Sequence, residues 1–125
     1  MKLRLNANSL RLRLNQAEVA QFSKTGYVEE TVDFGPGARL SYILETSTKT
    51  SSPQALFQNG ELRVRVSCAT SMEWAMSDRV GISGEQTLDN GKRLAILIEK
   101  DFKCLHGDVD PDAFPNPLED ATCKS

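Results

Sequence analysis

Basic residues alternate with apolar residues at the start of this chain and again in the segments 10–15 (LRLRLN) and 62–67 (LRVRVS). Successive side chains of a β-strand point to opposite faces, so Lys2 and the arginines of this pattern would lie opposite an apolar core. A guanidinium is a planar fork that binds a phosphate or carboxylate group through two hydrogen bonds. The sequence therefore predicts these candidates for an anion-binding site: Arg4, Arg11, Arg13, Arg63 and Arg65.

Glutamates at outward positions offer the same arginines partners within the chain. These glutamates are Glu29, Glu45, Glu61 and Glu99. A solvated sheet face held by cross-strand ion pairs is the ordinary interpretation of this pattern, and an anion site is the alternative. Tyr27 alone among the aromatic residues alternates with these charges, so there is no strong signal for nucleic-acid binding.

A second group of chemically capable residues lies in the C-terminal tail. It consists of Cys104, His106, Asp108, Asp110 and Asp112. A calcium loop needs a glycine where Ala113 stands, and a transition-metal site needs three or four convergent ligands. The spacing therefore favours an acidic surface loop, with metal binding as the weaker alternative, and we expect no cofactor.

Other features point to an interaction protein rather than an enzyme. The sequence contains no glycine-rich phosphate loop, Ser-His-Asp arrangement or HExxH motif. The formal net charge is −2, and the longest apolar run, Leu94–Ile98, is far too short to span a membrane. Three widely spaced cysteines (Cys68, Cys104 and Cys123) suit a reducing compartment. We therefore expect a cytoplasmic protein without a membrane partner.

An internal repeat determines how these residues would be positioned. The two arginine-bearing segments stand 52 positions apart, and the same offset relates Ala17 to Ala69, Phe22 to Trp74 and Val28 to Val80. In each copy a helix-capping residue follows the alternating strand. The first cap, Asn15, has Glu18 three residues later, which is the pattern of a capping box. Phe22 and Trp74 are expected to anchor the core from equivalent helix positions.

The repeat predicts an α+β fold. Two ββαββ halves, residues 1–46 and 53–100, would form one antiparallel sheet or a partly closed barrel of about eight strands with two helices. Residues 101–125 would be a tail rich in proline and aspartate, and residues 1–125 a single domain.

This plan is similar to that of the triphosphate tunnel enzymes, which place arginine, lysine and glutamate inside a barrel. That family holds a metal through Glu-x-Glu-x-Lys in its first strand, where this chain reads Lys2-Leu3-Arg4-Leu5-Asn6. The departure removes the metal-binding carboxylates. A binding module is the first functional hypothesis, and a phosphate-handling enzyme, with the arginines converging in a concave interior, is the alternative.

Three motifs carry a further resemblance over nearly the whole chain. They are Ser9–Leu14 (SLRLRL), Ile98–Leu105 (IEKDFKCL) and Phe114–Pro117 (FPNP). Together they resemble a family of small bacterial proteins of unknown function. The resemblance implies a bacterial cytoplasmic protein and implies no activity. The partner is left open between another protein and a second copy of the chain.

Overall fold

The computed structural model describes residues 1–102, so the metal candidates of the tail lie outside the described residues. Eight strands and two helices follow one another in this order: β1 (Lys2–Asn6), β2 (Ser9–Leu14), α1 (Gln16–Thr25), β3 (Tyr27–Asp33), β4 (Arg39–Ser47), β5 (Gln54–Gln58), β6 (Glu61–Ser67), α2 (Cys68–Met76), β7 (Gly81–Thr87) and β8 (Arg93–Lys100). Neither helix in this range is long and apolar enough to cross a membrane.

The strands form two four-stranded sheets. Sheet A has the order β1-β2-β8-β7 and sheet B the order β3-β4-β6-β5, and no closed barrel forms within residues 1–102. The predicted α+β class with eight strands and two helices is confirmed. The expectation of antiparallel pairing throughout is wrong for the central pairs β2–β8 and β4–β6, which are parallel. Each helix carries the chain from one sheet to the other, so the central strands of a sheet come from different halves and run the same way.

The internal repeat is reproduced in the hydrogen-bond register. Lys2 is paired with Arg13 between β1 and β2, and Gln54 is paired with Arg65 between β5 and β6, 52 residues later. The exchange of strands is also duplicated, because β2 lies beside β8 as β6 lies beside β4. The two halves are therefore related by a pseudo-twofold that interchanges the two sheets.

The offset of the repeat changes from 52 to 54 residues after the helices. Val28 pairs with Leu44 as Ile82 pairs with Ile98, so the counterpart of Val28 is Ile82 and not Val80. Gly26 alone separates α1 from β3, whereas residues 77–80 separate α2 from β7. The longer second connection, with a helix one residue shorter, accounts for the shift of two positions.

One apolar core joins the inward faces of both sheets with one aromatic side chain from each helix. Its fully buried members include Leu12, Leu14, Phe22, Leu44, Val64, Val66, Trp74, Ile82, Ile96 and Ile98. The rings of Phe22 and Trp74 meet edge to face with their centroids 6.2 Å apart. The indole N–H of Trp74 donates to the carbonyl oxygen of Val80 at 3.0 Å. The predicted role of both residues as core anchors is confirmed.

The helix ends follow the sequence signals. The amide of Glu18 donates to the side chain of Asn15, and the Glu18 carboxylate accepts from the Asn15 amide, which completes the capping box. Gly26 ends α1 at φ 72° and donates its amide to the carbonyl of Phe22 at 2.8 Å. Ser67 caps α2 by accepting from the amide of Thr70 at 3.1 Å. These caps fix where each chain segment crosses between the sheets.

Candidate functional site

The predicted anion-binding arginines lie on the sheet faces that point away from the core. Arg11 and Arg13 alternate with buried leucines on β2, while Arg63 and Arg65 alternate with buried valines on β6. Arg4 is exposed on β1. We call these surfaces the outer face of sheet A and the outer face of sheet B. The structure therefore brings Arg4, Arg11 and Arg13 together and places the other two arginines on a different sheet.

On the outer face of sheet B, one carboxylate bridges two arginines. Glu45 accepts from Nη1 of Arg63 and from Nε of Arg65, both at 2.8 Å, and Glu61 lies 3.4 Å from Nη2 of Arg63. Burial alone would lower the pKa of the Arg63 guanidinium, but the neighbouring Glu45 and Glu61 outweigh it, so that pKa is raised. The arginines of this face are held in place as partners of glutamates.

The outer face of sheet A repeats this arrangement in the same register. Glu99 lies 2.6 Å from Nε of Arg13 and 3.5 Å from Nε of Arg11. The register pairs Arg13 with Glu99 as it pairs Arg65 with Glu45. The ion pairs of these four arginines among residues 1–102 each stay within one sheet. The predicted cross-strand pairing of the charged face is observed on both sheets.

The two outer faces differ in their balance of charge. Strand alternation and register place Lys2, Arg4, Arg11, Arg13 and Arg93 on the face of sheet A, with Glu85, Glu99 and the following Asp101. The face of sheet B carries Arg39, Arg63 and Arg65 with Glu29, Asp33, Glu45 and Glu61. Among residues 1–102, sheet A thus carries five basic groups and three acidic ones, and sheet B carries three basic groups and four acidic ones. The outer face of sheet A carries the excess of positive charge.

Arg4 accounts for much of this difference. It stands directly opposite Arg11 in the β1–β2 register, and it forms no ion pair within the described part of the chain. The equivalent position of sheet B holds Leu56, which stands opposite Arg63. Like charges placed directly across two strands repel one another. The repeat is therefore broken at this position in favour of an additional, unneutralised guanidinium on sheet A.

A second surface feature is an apolar cleft of about 1530 Å³ where α1, the end of α2 and the end of β8 meet. Ala17 and Ala20 line one wall from α1, and Ala75 with Met76 line another from α2. Phe102 also lines the cleft. Met76 is 75% exposed and Phe102 is 62% exposed. The cleft was not predicted, because its walls come from three segments far apart in the sequence.

A third cluster, which the sequence also did not predict, surrounds the terminal ammonium of Met1. It pairs with the carboxylate of Glu18 and lies 3.1 Å from Oε1 of Glu30, while the Tyr42 hydroxyl donates to the Met1 carbonyl at 3.1 Å. Burial opposes the charge, but both carboxylates outweigh it and raise the pKa of the ammonium. Burial likewise opposes the Glu18 charge, but the ammonium and the Asn15 amide lower the pKa of that carboxyl.

These shifts predict a stability that depends on pH. Folding raises the pKa of the ammonium above its ordinary value of 8.0, so the charged ammonium stabilises the fold fully below pH 8.0. This stabilisation is lost as the pH rises through the folded-state pKa. Folding lowers the pKa of Glu18 below its ordinary value of 4.5, so the charged carboxylate stabilises the fold fully above pH 4.5. This stabilisation is lost as the pH falls through the folded-state pKa. Glu18→Gln keeps the capping hydrogen bond and removes the charge. We expect the loss of unfolding free energy in Glu18→Gln to be greatest between these two values.

Urea denaturation of both proteins at about pH 3, 6 and 10.5 checks this prediction over the window set by the two ordinary pKa values. The control is Glu73→Gln, because Glu73 is exposed and its ion pair with Arg79, at 3.5 Å, lies at the surface. A stability difference for Glu18→Gln that stays constant across the three pH values would contradict the assignment.

The geometry of residues 1–102 defines a duplicated α+β fold with two unequal charged faces and an apolar cleft. The chain belongs to a family of unknown function (DUF7009), whose model matches residues 1–118. This match confirms the resemblance to a family of unknown function. No curated protein and no solved structure matches the chain. The function is therefore not assigned by similarity, and its assignment depends on the site itself.

Proposed function

We propose that the protein is a binding module whose contact surface is the outer face of sheet A, and that its partner is a protein segment rich in carboxylates. The observation that carries the proposal is Arg4 beside Arg11, without an ion pair within residues 1–102, at a position where sheet B has Leu56. An acidic side chain bound between these two guanidiniums would relieve their repulsion. It would also accept the paired hydrogen bonds that an arginine fork donates.

The shape of this face supports a protein partner. The side chains of Arg11 and Arg13 are each about one-third exposed, at 35% and 32%, so both can be reached from solvent. They lie on a β-strand of an open sheet and not within an enclosed cavity. An open face with regularly spaced cations suits several carboxylates along an extended segment, and the complementary charge would speed association.

The same placement argues against the alternative of a phosphate-handling enzyme. That function requires the five candidate arginines to converge around one anion in a concave interior. Arg63 and Arg65 lie on the other sheet and are neutralised there by Glu45 and Glu61. We therefore keep Arg4, Arg11 and Arg13 as the candidate contact residues and leave Arg63 and Arg65 as structural ion-pair partners.

The proposal is tested by fluorescence anisotropy with a labelled deca-glutamate peptide at low ionic strength. An exposed ion pair contributes up to about 1 kcal/mol, so Arg4→Gln and Arg11→Gln should each raise the Kd about fivefold. Arg63→Gln is the matched control, since it occupies the equivalent position on sheet B and should leave the Kd unchanged. Added salt should weaken binding to the unaltered protein.

An equal loss in Arg11→Gln and Arg63→Gln would contradict the proposal, as would the absence of salt-sensitive binding. The same titration with inorganic triphosphate separates the two hypotheses. Hydrolysis of triphosphate that depends on arginines of both sheets would establish the phosphate-handling enzyme instead.

We also infer that this binding occurs in the cytoplasm of a bacterium and that residues 1–125 form one domain. The compartment is supported by the cysteines, since Cys68 is exposed and unpaired within residues 1–102. The bacterial source is supported by the sequence resemblance described above. Thiol titration of the protein purified under native conditions, with three free thiols expected, tests the reducing compartment.

A further inference from the structure

The apolar cleft at the helical end of the molecule shares Asp101 with the outer face of sheet A and is larger than a small ligand requires. Its volume is about 1530 Å³, against roughly 300–1,000 Å³ for a typical small-molecule pocket. Ala17 and Ala20, three residues apart on α1, form a wall of small side chains that allows another backbone to come close. Size and lining together fit a short polypeptide segment.

We propose that the occupant of this cleft is the chain's own segment 113–118 (AFPNPL), with Phe114 as its apolar anchor. Phe102 lines the cleft and is the last described residue, so the described chain ends at the cleft. Phe114 is twelve residues further along. An extended chain of that length spans up to about 40 Å, which is ample to return to the cleft.

Composition supports this segment over the rest of the tail. Phe114, Pro115, Pro117 and Leu118 are its apolar residues, and prolines restrict the unbound chain so that less entropy is lost on docking. The family model matches residues 1–118, so this segment lies within the part of the chain that the model covers.

Charge supports the same occupant. Residues 103–125 contain five acidic side chains against two lysines. The cleft carries Lys24, which forms no ion pair within residues 1–102, and Lys100, whose Nζ donates to the Ser77 carbonyl at 2.6 Å. The carboxylate that lines the cleft belongs to Asp101, and Nζ of Lys2 neutralises it from 3.1 Å away. An acidic segment is thus favoured at the rim, and its covalent tether gives it an effective concentration in the millimolar range.

Photo-crosslinking in the full chain tests the proposal. The photoreactive p-benzoylphenylalanine replaces Ala17 in the cleft, and irradiation is followed by trypsin digestion and mass spectrometry. We expect an intramolecular crosslink to the tryptic peptide of residues 104–124, which contains Phe114. The control places the same photoreactive residue at Ala69, the exposed counterpart on α2, where the yield should be at least about fivefold lower.

Phe114→Ser in the Ala17-substituted chain provides the second measurement. It should reduce the crosslink yield by at least about fivefold while the Trp74 fluorescence of the folded domain stays unchanged. Crosslinks between two chains would identify a second copy as the occupant and overturn the proposal. Equal yields from positions 17 and 69, or an unchanged yield with Phe114→Ser, would overturn it as well. None of these outcomes bears on the outer face of sheet A.

Discussion

Replacing Trp74 with alanine is expected to destabilise the fold by about 3–5 kcal/mol, the usual cost of removing a fully buried large aromatic side chain. Trp74 is fully buried and packs edge to face on Phe22, its counterpart in the other half. It also ties the end of α2 to the start of β7 through its bond to the Val80 carbonyl. The variant therefore removes a contact across the pseudo-twofold and a link between helix and sheet.

Urea denaturation followed by far-ultraviolet circular dichroism measures this effect, because the chain has a single tryptophan and the variant loses the fluorescence signal. Trp74→Phe retains a ring and removes the indole N–H, so we expect a smaller loss of about 1–2 kcal/mol. Met72→Ala, on the same helix and 52% exposed, is the control. A loss for Trp74→Ala no larger than that for Met72→Ala would show that the helices do not share one core.

Replacing Ile43 with alanine is expected to cost about 2–4 kcal/mol, as for a core residue, although it lies on the outer face of sheet B. Its exposure is 0%, and its cross-strand neighbours are Glu29 and Arg63. The Arg63 guanidinium reaches to Glu45, and we expect the aliphatic parts of these charged side chains to cover the isoleucine and exclude water. The ion-pair cluster would thus protect an apolar residue outside the main core.

Leu56→Ala provides the matched control for Ile43→Ala. Leu56 lies on the same outer face and is 47% exposed, so its truncation should cost less than about 1 kcal/mol. Arg63→Ala should weaken the protection of Ile43, and the two substitutions should therefore be non-additive. Additive losses in the double variant, measured by urea denaturation, would contradict this account of how Ile43 is buried.

Local sequence signals predicted much of the fold. The capping pair Asn15 and Glu18 and the alternation around Leu12 and Val64 each depend on neighbouring residues, and each is found in the structure. The turn after β5 is equally local in origin, since Asn59 and Gly60 adopt φ 53° and 74° as an Asn-Gly hairpin requires. The repeat was recognised because it aligns such local signals at a nearly constant offset.

Long-range arrangement was not contained in these signals. The parallel pairing of β2 with β8 depends on which sheet each helix enters, and alternation is the same for parallel and antiparallel neighbours. Alternation likewise does not predict the full burial of Ile43, which lies on the face of β4 that points away from the core. The cluster of Met1, Glu18 and Glu30 joins positions that share no sequence spacing.

The candidate site was predicted by residue type and corrected in its geometry. The alternation of side chains along the strands predicted that all five arginines point away from the core, and the structure places them there. Alternation could not predict whether the arginines lie on the same sheet, because the exchange of strands between the halves is a tertiary feature. The exchange separates Arg63 and Arg65 from Arg4, Arg11 and Arg13, and it leaves one face with excess positive charge and the other with a slight excess of negative charge.

A nuclear magnetic resonance titration tests the proposed function most directly. The ¹⁵N-labelled full chain is titrated with the deca-glutamate peptide, and backbone amide shifts are followed on both sheets at once. We predict saturable shifts around Arg4, Arg11 and Arg13 on sheet A, with the amides of Arg63 and Arg65 on sheet B unmoved. Equal shifts on both outer faces, or shifts confined to sheet B, would contradict the assignment of the contact surface to sheet A.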